Sequence, residues 1–319
     1  MNQPATTTTS QTQYRVAPPG FTDAQWEVFE RDGILVLENW LSEAEIERYT
    51  DAIMRVAKAD PDYSPDRYYG VENIVERDPV LAELIDHERH VGFAYDLYGE
   101  LLKVHKTQIH LRPPGSKTAV WHHDGSRALP YGVFAPTLPL NILIGYWLTD
   151  LPTSDMGNMV VLPGSQHNQY MDEFYSAATI PGERPLVFPR GTMTIMQSRV
   201  WHRVYPNLSD VTRKNLFIAY CPAWLVSEDR HGSDPEWLDT LSREQRIIMR
   251  SYDKAYFNHR PPASEFPLFL DRDTGLDRDP GTTREDVALH IRKRLTAAEK
   301  RQIAKGQIPD PRRRMPSPA

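Results

Sequence analysis

Short β-rich segments follow one another along the second and third quarters of the chain, and each ends at proline, glycine or other turn residues. Closely spaced strands of this length favour an antiparallel sandwich or barrel. The segments lie at 104–112, 119–124, 140–149, 159–162, 186–188, 192–197 and 213–224. We therefore predict a mainly β protein with flanking helices and a double-stranded β-helix core, the cupin-like jelly roll.

Helices are expected before this region. Thr22 with Gln25, and Ser42 with Glu45, have the spacing of capping boxes, in which two side chains satisfy free backbone donors at a helix start. A further helical pattern covers 79–101. The helix after Ser42 carries an apolar stripe, which indicates packing on a sheet and consists of Ile46, Tyr49, Ile53 and Val56.

Composition predicts a cytoplasmic protein. The chain is 40% hydrophobic and 25% charged, with a net charge of −6, which allows a sizeable core and argues against nucleic-acid binding. The single cysteine excludes an internal disulfide, and no N-terminal apolar stretch is typical of a signal peptide or membrane span. We expect a small-molecule substrate, no membrane or nucleic-acid partner, and a monomer or homodimer.

Three regions are predicted from the change in composition along the chain. Residues 1–19 are rich in threonine, glutamine and serine, which is typical of a disordered tail. Residues 20–230 contain the N-terminal helices and the jelly-roll domain. Residues 231–319 form a helical and loop extension, with a helix at 236–251, and we expect this extension to serve as a lid or dimer contact.

The sequence Trp121-His122-His123-Asp124 predicts a metal site. Side chains alternate along a strand, so His122 and Asp124 point to one side while His123 points away. A distant histidine, His202, offers a second imidazole. Two imidazoles and a carboxylate on one face of a metal leave three positions open, which suits non-haem Fe(II) and oxygen chemistry. We predict that His122, Asp124 and His202 bind the metal.

An arginine completes this pattern. Arg213 follows His202 by eleven residues, with turn chemistry at 206–210 between them. We expect a hairpin that returns Arg213 to the side of His202. A guanidinium binds a carboxylate at two points, so a buried arginine beside a metal indicates an anionic ligand that also reaches the metal. A 2-oxo diacid fits this description.

These residues resemble the phytanoyl-CoA hydroxylase-like branch of the Fe(II)/2-oxoglutarate-dependent oxygenases. The resemblance spans about residues 22 to 225 and rests on the Trp-His-x-Asp motif, the interval from His202 to Arg213, the segment 29–37 and the stretch Gly157-Asn-Met-Val-Val-Leu-Pro-Gly-Ser165. One departure is Gln166, which stands between that serine and His167, where the family often has histidine directly.

The resemblance implies a catalytic role. His122, Asp124 and His202 would hold Fe(II), and Arg213 would pair with the far carboxylate of 2-oxoglutarate. With O2, such an enzyme hydroxylates, desaturates or rearranges a small-molecule metabolite and releases succinate and CO2. The aspartate of the motif is retained, whereas related halogenases have a small residue there. We expect an oxygen-inserting or desaturating enzyme, with a role in natural-product biosynthesis.

Strand alternation and the resemblance add further candidate residues. For the cosubstrate pocket beside Arg213 we predict Gln108, Asn141, Tyr146 and Thr194. For contacts with substrate or with the surroundings of the metal we predict His110, His123, Trp121, Trp201, Asn215 and Phe217.

Two other classes of protein remain open. A metal-dependent cupin that does not use 2-oxoglutarate would keep the three metal ligands but has no need of Arg213. A non-catalytic jelly-roll binding module needs neither the arginine nor the metal. The intact four-residue set argues against both.

Overall fold

The computed structural model describes residues 14–124, 139–167, 176–250, 267–270, 301–302 and 304–307. The strands in these ranges are β1 (Ile34–Leu37), β2 (Tyr69–Glu72), β3 (Leu102–Arg112), β4 (Ala119–His122), β5 (Ile142–Trp147), β6 (Met159–Val161), β7 (Arg184–Pro185), β8 (Thr192–Gln197), β9 (His202–Val204) and β10 (Arg213–Pro222). The helices are α1 (Asp23–Asp32), α2 (Glu43–Ala59), α3 (Pro79–Ala82), α4 (Val91–Tyr98), α5 (Pro235–Asp239) and α6 (Arg243–Met249).

The strands form two antiparallel sheets. The major sheet has six strands in the order β1-β8-β5-β10-β3-β2, and the minor sheet has four in the order β4-β9-β6-β7. Successive strands often belong to opposite sheets, as in a jelly roll, and side chains of the two sheets pack together. We call the region between the two sheets the lumen. The predicted fold class is confirmed.

The major sheet separates two apolar cores. On its outer face, the predicted stripe of α2 is buried against alternate side chains of β5, among them Ile144 and Tyr146. On its inner face, Leu143 and Trp147 of the same strand pack with Val161 of the minor sheet. Because β5 is buried on both faces, its sequence is apolar throughout and does not reveal which residues face the lumen.

Local sequence signals define the helix ends. The capping boxes at Thr22 and Ser42 are both present, at the starts of α1 and α2. Gly33 ends α1 in the left-handed conformation, with φ of 73°, and a side chain there would collide with Gln166. The helical pattern predicted at 79–101 is interrupted, since α3 and α4 are separated by a 3-10 turn and an irregular segment.

The turn at 206–210 does not form the predicted hairpin. β9 pairs with β4 and β6, whereas β10 pairs with β3 and β5, so this turn crosses from one sheet to the other. The Asn207 side chain holds the crossing by donating to the carbonyls of Arg112 and Val211, each at 2.8 Å. His202 and Arg213 therefore belong to different sheets and are not neighbours on one sheet.

Both ends of the chain differ from the sequence interpretation. Within residues 14–19, which the sequence interpretation assigned to the disordered tail, Ala17 is buried and its amide donates to the Leu270 carbonyl. The helix predicted at 236–251 is two short helices, because Ser242 starts α6 with a capping box of its own. Residues 1–13, 251–266, 271–300 and 308–319 lie outside the described residues, and with them most of the predicted lid or dimer contact.

Membrane insertion of a helix has no support in the ranges described: none of their helices has both the length and the apolar character needed to cross a bilayer.

Candidate metal centre

The minor sheet brings the three predicted metal ligands together. His122 ends β4 and is the cross-strand partner of His202, which begins β9, and their ring centres are 4.2 Å apart. Asp124 follows two residues after the first histidine, and its oxygens lie 3.9 Å from His122 Nε2 and 3.8 Å from His202 Nε2. One donor atom from each residue lies within 4.8 Å of the others.

The backbone orients both imidazoles. His122 Nδ1 lies 2.8 Å from the Val120 carbonyl, and His202 Nδ1 lies 3.0 Å from the Val200 carbonyl. A carbonyl can only accept, so each Nδ1 carries the proton and each Nε2 lone pair is available.

The protonation states fit a divalent cation. Burial lowers the pKa of His202 to about 4, although Asp124 opposes the shift, so the ring is neutral at neutral pH. Two imidazoles and a carboxylate are the donor set that Fe(II) accepts while keeping open positions. The Asp124 amide also donates to the Ser198 carbonyl at 2.8 Å, which fixes the loop after β4.

Arg213 begins β10 of the major sheet, whereas the ligand strands β4 and β9 belong to the minor sheet. It is only 3% exposed, donates through Nη1 to the Gly157 carbonyl, and rests 5.3 Å from the ring centre of Trp147. Its Nε has no hydrogen-bond partner among the described residues. Burial, followed by the charge of Arg112, lowers the pKa of the Arg213 guanidinium well below its ordinary value. A buried cation in this state is ready to bind an anion.

Asn215 lies next to Arg213 on the lumen face. The residue is fully buried, and neither its amide nitrogen nor its carbonyl oxygen has a partner among the described residues. Buried polar atoms are rarely left unpaired in a finished core. The prediction that Asn215 contributes to the site is therefore consistent with its surroundings, and the residue offers one donor and one acceptor to a ligand.

Two aromatic side chains line the lumen side by side: Phe217, which was predicted, and Trp147, which was not. Phe217 packs edge-on against Trp147, with ring centres 5.8 Å apart, and against His110 at 5.4 Å. Thr194, predicted as a cosubstrate contact, accepts from the Trp147 indole at 3.0 Å. The threonine therefore positions the indole on which Arg213 rests.

His110 is engaged with Tyr68, which precedes β2. The two rings are stacked with centres 5.9 Å apart, and a 2.6 Å hydrogen bond joins Tyr68 Oη to His110 Nδ1. Burial, helped by Arg213, Arg112 and Lys106, lowers the pKa of His110 to about 3 and keeps the ring neutral.

Two further cosubstrate candidates, Gln108 and Asn141, form hydrogen bonds with neighbouring segments. The Gln108 amide donates to Glu72 at 2.9 Å, so part of its hydrogen-bonding capacity is used by the edge strand. The Asn141 carbonyl accepts from the Ser198 amide at 3.1 Å, and the Ser198 carbonyl accepts in turn from the amide of Asp124. Asn141 is thereby connected to the loop that carries a metal ligand.

The prediction for Tyr146 is wrong. Tyr146 lies on the outer face of β5, where its hydroxyl is 2.7 Å from His90 Nδ1 and its ring packs on Tyr49 of α2. Trp147, one residue later, is the aromatic side chain that reaches the lumen. A shift of one residue along a strand moves a side chain to the opposite face.

The residues that flank the metal ligands pack behind them. Trp121 is buried, and its indole donates to the Ala178 carbonyl at 2.8 Å. His123 does not belong to the group of converging donor atoms, and it packs edge-on against Trp201 with ring centres 5.0 Å apart. These contacts support the ligand strands from outside the lumen, so a direct substrate contact remains a prediction for Trp121, His123 and Trp201.

The departure at Gln166 has a structural role. Gln166 donates to the carbonyls of Glu30 and Arg31, and His167 Nε2 lies 2.8 Å from the same Glu30 carbonyl. Both side chains therefore hold the end of α1 against the turn that follows β6.

Sequence reasoning overlooked Arg112 and Tyr68. Arg112 has the same strand parity as Gln108 and His110, both of which were selected, so alternation continued by one step identifies it. Tyr68 precedes a short edge strand that the sequence pattern did not predict, and no signal in the sequence marked it.

Known proteins with similar sequences are dioxygenases. The family model for phytanoyl-CoA dioxygenase (PhyH) matches residues 29–215. Dioxygenase lolE1 of Epichloe uncinata is 29% identical over 158 residues, which are 48% of this chain and 59% of that protein. A probable alpha-ketoglutarate-dependent hypophosphite dioxygenase of Stutzerimonas stutzeri is 28% identical over 159 residues, or 45% and 53% respectively. The match thus spans little more than half the length of these curated relatives.

Solved structures share the fold. HygX from Streptomyces hygroscopicus, with nickel and 2-oxoglutarate bound, superposes with a TM-score of 0.57 at 17% identity, covering 66% of this chain and 90% of HygX. The non-haem alpha-ketoglutarate-dependent carbocyclase SnoK from nogalamycin biosynthesis gives a TM-score of 0.53 at 21% identity, covering 70% and 94%. At these identities the likeness establishes the architecture.

Proposed function

Because the chain belongs to the phytanoyl-CoA dioxygenase family, we propose that it is an Fe(II)- and 2-oxoglutarate-dependent oxygenase acting on a small-molecule metabolite. The observation that carries this proposal is the pairing of two features across one lumen. On one side, His122, Asp124 and His202 converge their donor atoms within 4.8 Å. On the other, Arg213 is buried without a salt bridge to any described residue.

The three ligands are prepared before a metal binds. Hydrogen bonds from Nδ1 of His122 and His202 to the carbonyls two residues earlier keep each Nε2 free and restrict ring rotation. The neutral state of His202 avoids the cost of removing a proton on binding. When bound, iron and 2-oxoglutarate supply oxygen activation, with release of succinate and CO2.

The opposite wall orients the cosubstrate. The guanidinium of Arg213 is held by Gly157 and by the face of Trp147, so it need not reorganise to accept a carboxylate. Phe217 and Trp147 present apolar surface that excludes water from the space between the arginine and the metal ligands. The protein thus positions the cosubstrate, supplies a positive charge to bind its carboxylate and limits the access of water.

The substrate class is proposed from relatives with the same architecture. HygX has been solved with hygromycin B bound, and SnoK and the epimerase SnoN belong to nogalamycin biosynthesis. Hydroxylation, desaturation and rearrangement differ only in how the substrate is placed, so a tailoring reaction on a natural product is the function proposed here.

A cupin that does not use 2-oxoglutarate and a non-catalytic binding module are both disfavoured. Neither explains why Arg213 is buried with an unpaired Nε on the lumen face. Holding such a charge without an anion costs free energy, which a carboxylate ligand recovers.

The experiment is an anaerobic titration of the purified apoprotein with Fe(II) and then 2-oxoglutarate, monitored by the visible metal-to-ligand charge-transfer absorption of a chelated 2-oxo acid. Wild type should develop the band, and Asp124→Ala should lose it, together with about 100-fold or more of succinate release. The exposed Asp51 on α2 provides a matched control, and Asp51→Ala should behave as wild type. Bound iron without the band in wild type would overturn the proposal.

A further inference from the structure

We propose that Arg112 is a second guanidinium of the cosubstrate pocket, so that the far carboxylate of the 2-oxo acid binds between Arg112 and Arg213. This inference rests on the proposed function, because it concerns the same cosubstrate. It assigns a ligand contact to a residue that neither the motif nor the spacing of the metal ligands indicates.

The register of the major sheet places the two arginines together. Arg112 at the end of β3 is the direct cross-strand partner of Arg213 at the start of β10. Directly opposed residues project to the same face, which here is the lumen. Both also meet at Gly157: its carbonyl accepts from Arg213, and a side chain on it would lie 3.6 Å from Arg112 Cδ.

This pair of like charges is uncompensated in the described part of the chain. Salt bridges there involve many other arginines, but neither Arg112 nor Arg213. Burial lowers the pKa of the Arg112 guanidinium, and burial together with Arg112 lowers that of Arg213. Like charges placed directly opposite on a sheet are destabilising. An anion between them would remove both the repulsion and the cost of burial.

Each guanidinium has one edge in use and one edge available. Arg112 donates through Nη1 to the Lys117 carbonyl at 3.0 Å, and Arg213 donates through Nη1 to Gly157. The Nε atoms of both are buried and without partners among the described residues. Arginine binds carboxylates at two points along such an edge. The amide of Asn215 adds an unpaired donor beside them.

Tyr68 holds Arg112 in this position. The Arg112 guanidinium lies 4.7 Å from the centre of the Tyr68 ring, and the hydrogen bond from Tyr68 to His110 keeps that ring from turning. Tyr68 positions the guanidinium without a negative charge. An aspartate or glutamate in its place would compete with the carboxylate of the ligand. Tyr68 is 48% exposed, so one side of its ring contacts solvent while the other side contacts Arg112 and His110.

The test uses metal-free protein and two probes, 2-oxoglutarate and glutarate, because glutarate has both carboxylates and lacks the keto group needed for chelation. Thermal unfolding and calorimetric titration give Tm and Kd. Both ligands should raise the Tm of wild type, whereas butyrate, which has one carboxylate, should raise it less.

The informative variant is Arg112→Gln. It should raise the Tm of the ligand-free protein, because the repulsion is gone, and weaken glutarate binding about tenfold or more. A purely structural role would instead lower the ligand-free Tm and leave the Kd unchanged. Arg112→Lys keeps the positive charge but lacks the planar guanidinium, so its Kd for glutarate should lie between those of wild type and Arg112→Gln. Arg48→Gln, which removes an exposed arginine from α2, is the control and should match wild type.

The outcomes separate this inference from the proposed function. If Arg213→Gln abolishes glutarate binding while Arg112→Gln retains the wild-type Kd, the second-guanidinium assignment is overturned and the oxygenase proposal stands. If wild type binds neither dicarboxylate, with or without Fe(II), both fall together. Weaker binding in both arginine variants, with the predicted rise in Tm for Arg112→Gln, supports the pocket.

Discussion

Both faces of the major sheet bury polar side chains, but the two faces differ in whether these side chains have hydrogen-bond partners. On the helix-packed face, His90 lies 2.7 Å from the hydroxyls of both Tyr146 and Tyr220, and each of its ring nitrogens has a partner. On the lumen face, Asn215 and the Nε of Arg213 are equally buried and have no partner among the described residues.

We interpret this difference as a distinction between polar groups that support the fold and polar groups that a ligand would satisfy. A satisfied buried network makes a core unique and rigid, whereas an unsatisfied group costs free energy until something binds it. The helix-packed face also connects an irregular segment to the sheet, since the Tyr220 hydroxyl lies 3.0 Å from the carbonyl oxygens of both Leu84 and Ile85, either of which can accept its proton. We therefore expect changes on one face to affect stability and changes on the other to affect binding.

The largest effect is expected at the centre of the satisfied network. His90→Ala leaves the hydroxyls of Tyr146 and Tyr220 without their shared partner and opens a cavity, so the free energy of unfolding should fall by about 3 kcal/mol. Urea denaturation measures this loss. The Kd for 2-oxoglutarate of the folded variant should stay at the wild-type value, and a large change would mean that the two faces are coupled.

Acid should destabilise the protein through histidines held neutral on both faces. Burial lowers the pKa of His90 well below 6.5 and that of His110 to about 3. For each histidine, at a pH between the ordinary pKa of 6.5 in the unfolded chain and the lower pKa in the folded protein, only the unfolded chain binds the proton. The free energy of unfolding therefore falls as pH drops below 6.5, by up to about 1.4 kcal/mol per pH unit for each ring. His110→Asn should reduce the slope by up to one proton, as pH-dependent urea titrations can measure; an unchanged slope would show that His110 is protonated in the folded state.

A substitution on the lumen face should increase the free energy of unfolding, in contrast to His90→Ala. Asn215→Leu replaces two unpaired polar atoms by an apolar side chain of similar size, so stability should rise by about 1 kcal/mol. The Kd for 2-oxoglutarate should increase because a donor and an acceptor are lost. Differential scanning calorimetry and titration on the same sample give both numbers, and a loss of stability would assign Asn215 to the fold.

The smallest effect tests the corrected position of Tyr146. Tyr146→Phe removes the hydroxyl that meets His90 and should reduce stability by about 1 kcal/mol. Because this side chain faces α2, the Michaelis constant for 2-oxoglutarate should be unchanged. A raised Michaelis constant would restore Tyr146 to the cosubstrate pocket.

Local patterns in the sequence predicted much of this molecule. The capping boxes at Thr22 and Ser42 and the shared face of His122 and Asp124 depend on neighbours within four residues, and the structure contains all three. The convergence of His202 on that pair required knowledge of the strand pattern and of the family resemblance as well.

Pairing between distant strands decided the rest. Nothing within the turn at 206–210 states that β9 and β10 join different sheets, and nothing within β5 states that Trp147 faces the lumen and Tyr146 does not. The partnership of Arg112 with Arg213 likewise exists only in the register of β3 and β10. Sequence determined which residues share a face because alternation is a local property, whereas tertiary structure decided which faces meet because register is set by contacts between distant segments.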